Sequence, residues 1–172
     1  MPRRMVYDID VAVPAARMYQ LFTAEDYWRE LVSFYRDHAN AETEITRFSS
    51  TEAGTDVTFR HIMTADDLPA VARPFVPGSF VVKREQHFDP FHATTHQASG
   101  RYRAHVPVAP LDLTGEYVLA DTNDGSRLRL ETVCRVKVPL IGGQIEGLIM
   151  GGLKMLFDEE GRFTTDWVAG HR

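Results

Sequence analysis

The chain has 172 residues, 44% of them hydrophobic and 25% charged, long enough for one globular domain with a sizeable core. Its formal net charge of −5 argues against a protein built around a nucleic-acid backbone or an anionic membrane, both of which call for a basic face, although local basic patches remain compatible with it. A single cysteine, Cys134, excludes an intrachain disulfide and, without zinc-type Cys/His spacing, points to a reducing cytoplasm.

Met5, Tyr7, Ile9, Val11 and Val13 alternate with Asp8, Asp10 and Ala12, the period-2 signature of a half-buried strand. Pro14 then opens a helical pattern in "PAARMYQLF", and Thr23 with Asp26 caps a second one in "AEDYWRELVSFY". From Ala41 to Pro139 runs rich in Val, Thr, Phe and Tyr are separated by turn chemistry. These runs predict strands at 41–49, 55–64, 79–88, 92–105, 111–121 and 126–138. The segment "DDLPAVARPFVPG" is too long for a hairpin and too apolar for a solvated loop, so it reads as a short helix over an opening. The closing segment, from Gly143 to Val168, gathers Ile145, Leu148, Ile149, Gly152, Leu153, Leu156, Phe163 and Trp167 into one stripe at helical spacing. Strand, two short helices, six antiparallel strands and a long helix make an α+β architecture in one domain spanning 1–172.

No apolar run of signal-peptide length precedes the first acids. The window "PLIGGQIEGLIMGGLKMLF" is interrupted by Gln144, Glu146 and Lys154, so no stable membrane insertion is expected.

The element order, together with "AEDYWRELVSF", "DDLPAVARPFVPG", "DGSRLRLETVCRVKVPLIGGQIEGLI" and "RFTTDW", resembles the helix-grip fold of the START and Bet v 1-like (SRPBCC) superfamily. Within that superfamily the chain is similar to a bacterial family known as domain of unknown function 2505. The resemblance implies a seven-stranded antiparallel sheet curved around the C-terminal helix, with an apolar cavity between them.

Along 98–106 the inward face carries Ala98, Gly100, Tyr102, Ala104 and Val106. Small residues there mean either close helix packing or retained space. Polar residues expected to face the same interior are His61, His96, Tyr102, Tyr117 and Arg84, a few convergent groups among apolar walls, as a small-molecule pocket requires. The expected ligand walls are Phe59, Met63, Phe80, Tyr102, Tyr117, Leu148, Gly152 and Met155, with His61, Arg84 or His96 addressing a polar end and Phe75 on a lid over 66–78. Glu159 and Glu160 fall on either side of the helix stripe, and one pointing inward would serve as an acid or a ligand anchor.

The histidines of "HFDPFHATTH" lack a carboxylate or thiolate at fixed spacing, so no metal is expected, and no motif calls for a cofactor. Cys134 reads as a buried small hydrophobe. No nucleophile elbow or phosphate loop is present. The preferred expectation is a non-enzymatic cytoplasmic protein that binds a hydrophobic small molecule, such as a lipid, isoprenoid or polyketide-like compound. A cyclase or aromatase-type enzyme using the same cavity is one alternative. A ligand-free interaction module is another, with Gly147, Met150 and Phe157 as an exposed strip for a homodimer contact.

Overall fold

Alternating burial along the strands shapes the molecule, which we describe from a computed structural model covering residues 1–39, 42–76 and 78–171. Among these residues the strands are β1 (Arg3–Val11), β2 (Glu42–Thr51), β3 (Gly54–Thr64), β4 (Ser79–Phe88), β5 (Gln97–His105), β6 (Leu111–Thr122) and β7 (Gly125–Val136). They form one antiparallel sheet in the order β1-β7-β6-β5-β4-β3-β2. On β7 the inward residues Leu128, Leu130, Thr132 and Cys134 are buried while Arg127, Arg129, Glu131 and Arg135 are exposed, so one face is dry and the other wet.

Helices α1 (Ala15–Phe22) and α2 (Glu25–Ala39) follow β1, and α3 (Gly142–Gly170) closes the chain. The long helix packs mainly on β1, β7 and α2, while α1 reaches β5, β6 and β7. The order of sheet and helices is the helix-grip arrangement that the resemblance implies, while the space between α3 and the sheet beside Arg84 and Tyr117 is only about 30 Å³. No helix among the described residues is long and apolar enough to cross a membrane.

Three local expectations change. The strand expected from 92 begins only at Gln97, because residues 92–96 form a turn closed by a His92–Gln97 bridge, with His96 at φ 52°. The expected helix over 66–78 is two single 3-10 turns, Ala65–Asp67 and Arg73–Phe75; residue 77 of that segment, and residue 41 of the second expected strand, lie outside the described residues. The strip expected to be exposed is not, since Met150 and Phe157 are core residues.

The largest correction concerns the face that α3 buries. Its buried residues are Gly142, Ile145, Glu146, Met150, Phe157, Thr164 and Val168, with Ile149, Leu153 and Leu156 half-buried beside them. Leu148 and Met155 are 44% and 71% exposed, and a side chain at Gly152 would meet open space. The physical reason lies in polar partners. Glu146 accepts the Val136 backbone N–H at 2.9 Å, Glu160 meets Arg84, and Thr164 receives Tyr27. These anchors draw polar positions inward, and apolar periodicity alone cannot register them.

The core is an aromatic belt. Phe22 of α1 stacks on Phe88 at 4.5 Å, Trp28 lies against Tyr27 at 4.9 Å and Phe59 at 5.8 Å, and Tyr117 bridges Phe88 at 5.0 Å to Tyr102 at 5.2 Å. The small inward residues make room for these rings: a Cβ at Gly115 would overlap the Tyr102 ring, which crosses that position to bond Thr132. Gly115→Val is therefore expected to displace Tyr102 and to cost about 1–3 kcal/mol, the usual range for overpacking, as urea denaturation would measure.

Candidate functional site

At the inner face of β4 the apolar belt gives way to a charged group. Phe80, Arg84, Gln86 and Phe88 all point inward and are buried, as strand alternation demands. The Arg84 side chain is 9% exposed, and its partner Glu160 on α3 is 13% exposed.

The contacts are dense. Arg84 Nη1 donates to Glu160 Oε1 at 2.7 Å and Nη2 to Oε2 at 3.4 Å, a two-pronged grip. Nη1 also reaches the Tyr35 hydroxyl at 3.3 Å, and Nη2 reaches Gln86 Oε1 at 3.1 Å. Tyr35 donates to Glu160, and Tyr117 donates to Gln86 Oε1. Behind them, Thr164 donates to the Glu160 carbonyl at 2.7 Å, so the Tyr27 hydroxyl, 2.9 Å from Thr164 Oγ1, must be the donor there. The guanidinium also lies 5.7 Å from the centre of the Phe59 ring.

Electrostatics follow from this burial. Burial opposes the charge of Arg84, but Glu160 outweighs it and holds the guanidinium well above its ordinary value. Burial, with Glu160 beside it, raises the Tyr35 hydroxyl, and burial raises that of Tyr117. Tyr102, bonded to Thr132, is pushed up to about 12 by burial. All three tyrosines stay protonated near neutral pH, and Tyr35 and Tyr117 act as donors. Gln86 Nε2 is buried without a hydrogen-bond partner, and it borders a space of about 30 Å³ also lined by Arg84, Tyr117 and Glu160. A space of that size holds roughly one water.

His61 stands one strand away, on β3, half-buried, with Nδ1 2.9 Å from Thr43 Oγ1. Burial first, and the Arg84 charge second, lower its pKa to about 4, so the ring is neutral near pH 7. Unfolding restores a value near 6.5, so the unfolded chain takes up a proton that the folded one refuses as pH falls from about 6.5 to about 4. That uptake removes roughly 3 kcal/mol of stability across the window and nothing above it. Urea midpoints at about pH 7.5 and about pH 4.5 should separate by less in His61→Gln than in the parent.

The sequence-predicted residues divide into two groups. Phe59, His61, Met63, Phe80, Arg84, Tyr102 and Tyr117 share the concave face, with Phe59, Phe80, Arg84, Tyr102 and Tyr117 buried and His61 and Met63 half-buried. Phe75 lies apart on the second 3-10 turn, 43% exposed. Four others lie elsewhere. His96 faces solvent in the turn before β5, beside Asp121 at 3.3 Å, while Leu148, Gly152 and Met155 are on the outer side of α3.

Tyr35 and Gln86 belong to the cluster and were not expected there. Gln86 follows Arg84 at strand spacing, which was the available signal; Tyr35 on α2 offered none. Glu160 is the inward acid that the helix pattern left as one of two choices.

The concave face is filled unevenly. Toward α1 and the β6–β7 turn, the aromatic belt packs it. Toward the other end, the inward residues Met63, Val82, Ala104, Leu111 and Val136 are only half-buried, and the Arg84 cluster marks the boundary between these halves.

Comparison with known proteins bears on the family and the fold. A family described as Protein of unknown function (DUF2505) matches residues 7–168. The Uncharacterized protein Rv0481c of Mycobacterium tuberculosis is 29% identical over 175 residues, covering 99% of each chain. Among solved structures, TTHA0849 from Thermus thermophilus superimposes with a TM-score of 0.57 at 14% identity, covering 99% of both chains. Norcoclaurine synthase from Thalictrum flavum gives a TM-score of 0.52 at 13% identity, covering 98% of this chain and 87% of its own. At such identities the two structures show a shared fold alone.

Proposed function

The chain belongs to the DUF2505 family, and from that premise we propose that it shelters a small hydrophobic molecule bearing one polar end. The body of the ligand lies on the half-buried part of the concave face, against Met63, Val82 and Ala104 and beside the buried Phe80, beneath the segment that carries Phe75. Its polar end points inward toward His61 and the Arg84–Glu160 pair, with Phe59, Tyr102 and Tyr117 closing the inner limit. A fatty-acyl, isoprenoid or polyketide-like molecule ending in an oxygen function fits this division of apolar wall and polar floor.

One observation carries the reading. A buried ion pair commonly gives no more stability than hydrophobic packing of the same volume, yet here one sits beside a Gln86 Nε2 that has no hydrogen-bond partner, at the inner edge of a half-buried apolar surface. Such a cluster is better explained by what it receives than by the stability it adds.

The test is native mass spectrometry of the purified protein, with thermal shifts against fatty acids, isoprenoid acids and polyketide phenols. A ligand present at about a hundred times its Kd adds roughly 2.7 kcal/mol of stability. Absence of co-purified ligand, together with no shift from any compound, would overturn the proposal.

A cyclase-type enzyme is a second reading of the same surface, and the neutral His61 favours it, because an unprotonated ring can take a proton from a bound chain. Its signature would be turnover abolished in His61→Gln with ligand uptake retained.

A further inference from the structure

Among the buried side-chain atoms of the Arg84 cluster, Gln86 Nε2 is the one left without a hydrogen bond. Its neighbours fix which way the amide points. A guanidinium can only donate, and Arg84 Nη2 lies 3.1 Å from one terminal atom of Gln86, so that atom is the oxygen and the nitrogen faces away. The Tyr117 hydroxyl, kept protonated by burial, donates to the same oxygen. What remains open at Gln86 is therefore a donor. Burying an amide N–H without an acceptor is costly, and Gln86 is only 4% exposed.

The amide stands where a guest on the half-buried surface would end. Along β4 the inward residues run Val82, Arg84 and Gln86, and across the sheet Arg84 faces Ala104 while Gln86 faces Tyr102. A guest lying on Val82 and Ala104 passes Arg84 and meets Gln86 next, about 13 Å beyond Val82 at the rise of a strand. Arg84 makes no unmatched demand for an anion, because Glu160 holds it at 2.7 Å. Past that point the interior closes. The gap lined by Gln86, Arg84, Tyr117 and Glu160 measures about 30 Å³, room for a single oxygen atom on the scale of one water.

Resting on the ligand reading above, we propose that the guest's inner end is a carbonyl oxygen, of a ketone, an ester or a carboxyl group, that accepts from Gln86 Nε2. A carbonyl oxygen accepts without donating, so it satisfies the amide and brings no proton of its own to place. It also reproduces the hydrogen bond that a water in the same gap would take, which makes the exchange favourable. A hydrocarbon end would seal the amide off unpaired. An ammonium end would set donor against donor.

The test compares methyl undecyl ketone with the alkene of the same shape, in which a methylene group replaces the oxygen. In calorimetric titrations the protein should bind the ketone about tenfold more tightly than the alkene. The infrared band of the bound carbonyl should fall in frequency relative to the ketone in an alkane solvent. In Gln86→Met, a side chain of similar length with no donor, the two compounds should bind with equal strength and the band should return to its alkane position. Circular dichroism checks that this variant folds; if it does not, the affinity ratio and the band in the parent still decide. The inference is overturned if the parent binds the ketone no more tightly than the alkene, or if the advantage of the ketone survives in folded Gln86→Met. Equal binding of both leaves the hydrophobic-ligand reading standing, whereas binding of neither, with no thermal shift from the wider panel, overturns the two together.

Discussion

Glu160→Leu should destabilise the protein by about 3–5 kcal/mol, the cost of leaving a buried charge without its partner. The substitution removes both carboxylate contacts to Arg84 and the acceptor of the Tyr35 hydroxyl. No other acid contacts the guanidinium among the described residues, and its remaining hydrogen bonds are to the neutral Tyr35 and Gln86. Removing the positive charge as well should reverse most of the loss. In Arg84→Met/Glu160→Leu the interior holds two apolar side chains of similar length, and such replacements are commonly neutral or better. Urea denaturation of the parent, both single variants and the double variant closes a cycle whose coupling isolates the pair. If Glu160→Leu alone costs under about 1 kcal/mol, water reaches the pair and the site is more open than described. The double variant also separates stability from function, since it should fold and yet lose ligands with an anionic end.

Trp28→Ala should cost about 3–5 kcal/mol, the range for deleting a large buried aromatic ring. The indole is 3% exposed and touches Phe22, Tyr27, Phe59 and Phe88. Its Nε1–H also donates to the carbonyl of Phe22, the last residue of α1, at 2.9 Å. Deletion therefore opens a cavity at the junction of α1, α2, β3 and β4 and leaves a helix-end carbonyl unmet. Trp28→Phe keeps most of the ring contacts and forfeits mainly the hydrogen bond, a loss of about 1 kcal/mol or somewhat more. For a domain of this size the larger loss, in Trp28→Ala, lowers Tm by about 10 °C. A shift of only a degree or two in that variant would mean that the belt collapses onto the vacancy.

Much of the fold could be read from the residues because period-2 alternation survives along most strands, β2 excepted, where the register shifts between Ile45 and Arg47. Leu128 through Val138, with arginines and a lysine opposite, shows this plainly. Most of the concave-face residues could be read for the same reason: once the strand facing Val57 and Phe59 is set, His61 and Met63 must follow. The α3 face was hidden because its deciding interactions are distant in sequence. Glu160 is inward only because Arg84, 76 positions earlier, is there to receive it. An apolar stripe drawn without that knowledge rotates the helix toward Leu148 and Met155, which are in water. His96 was misplaced by a different cause, since "FHATTH" contains β-branched residues that suit a strand but closes as a turn.

The glycines of α3 divide the helix into two stretches of different intrinsic helix strength. Residues 142–152 hold five glycines, and a side chain at Gly143, Gly151 or Gly152 would meet nothing, whereas residues 153–168 hold only Gly161. At about 1 kcal/mol per glycine relative to alanine, the first three turns are several kcal/mol poorer helix than the rest. The second stretch is tied down by Phe157, the Arg84–Glu160 pair and the Tyr27–Thr164 bond. Amide protons of the first turns should accordingly exchange with solvent through brief local openings, far sooner than those around Phe157, which wait for global unfolding. Those openings would occur beside the half-buried end of the concave face, so a guest could come and go while the aromatic belt stays closed.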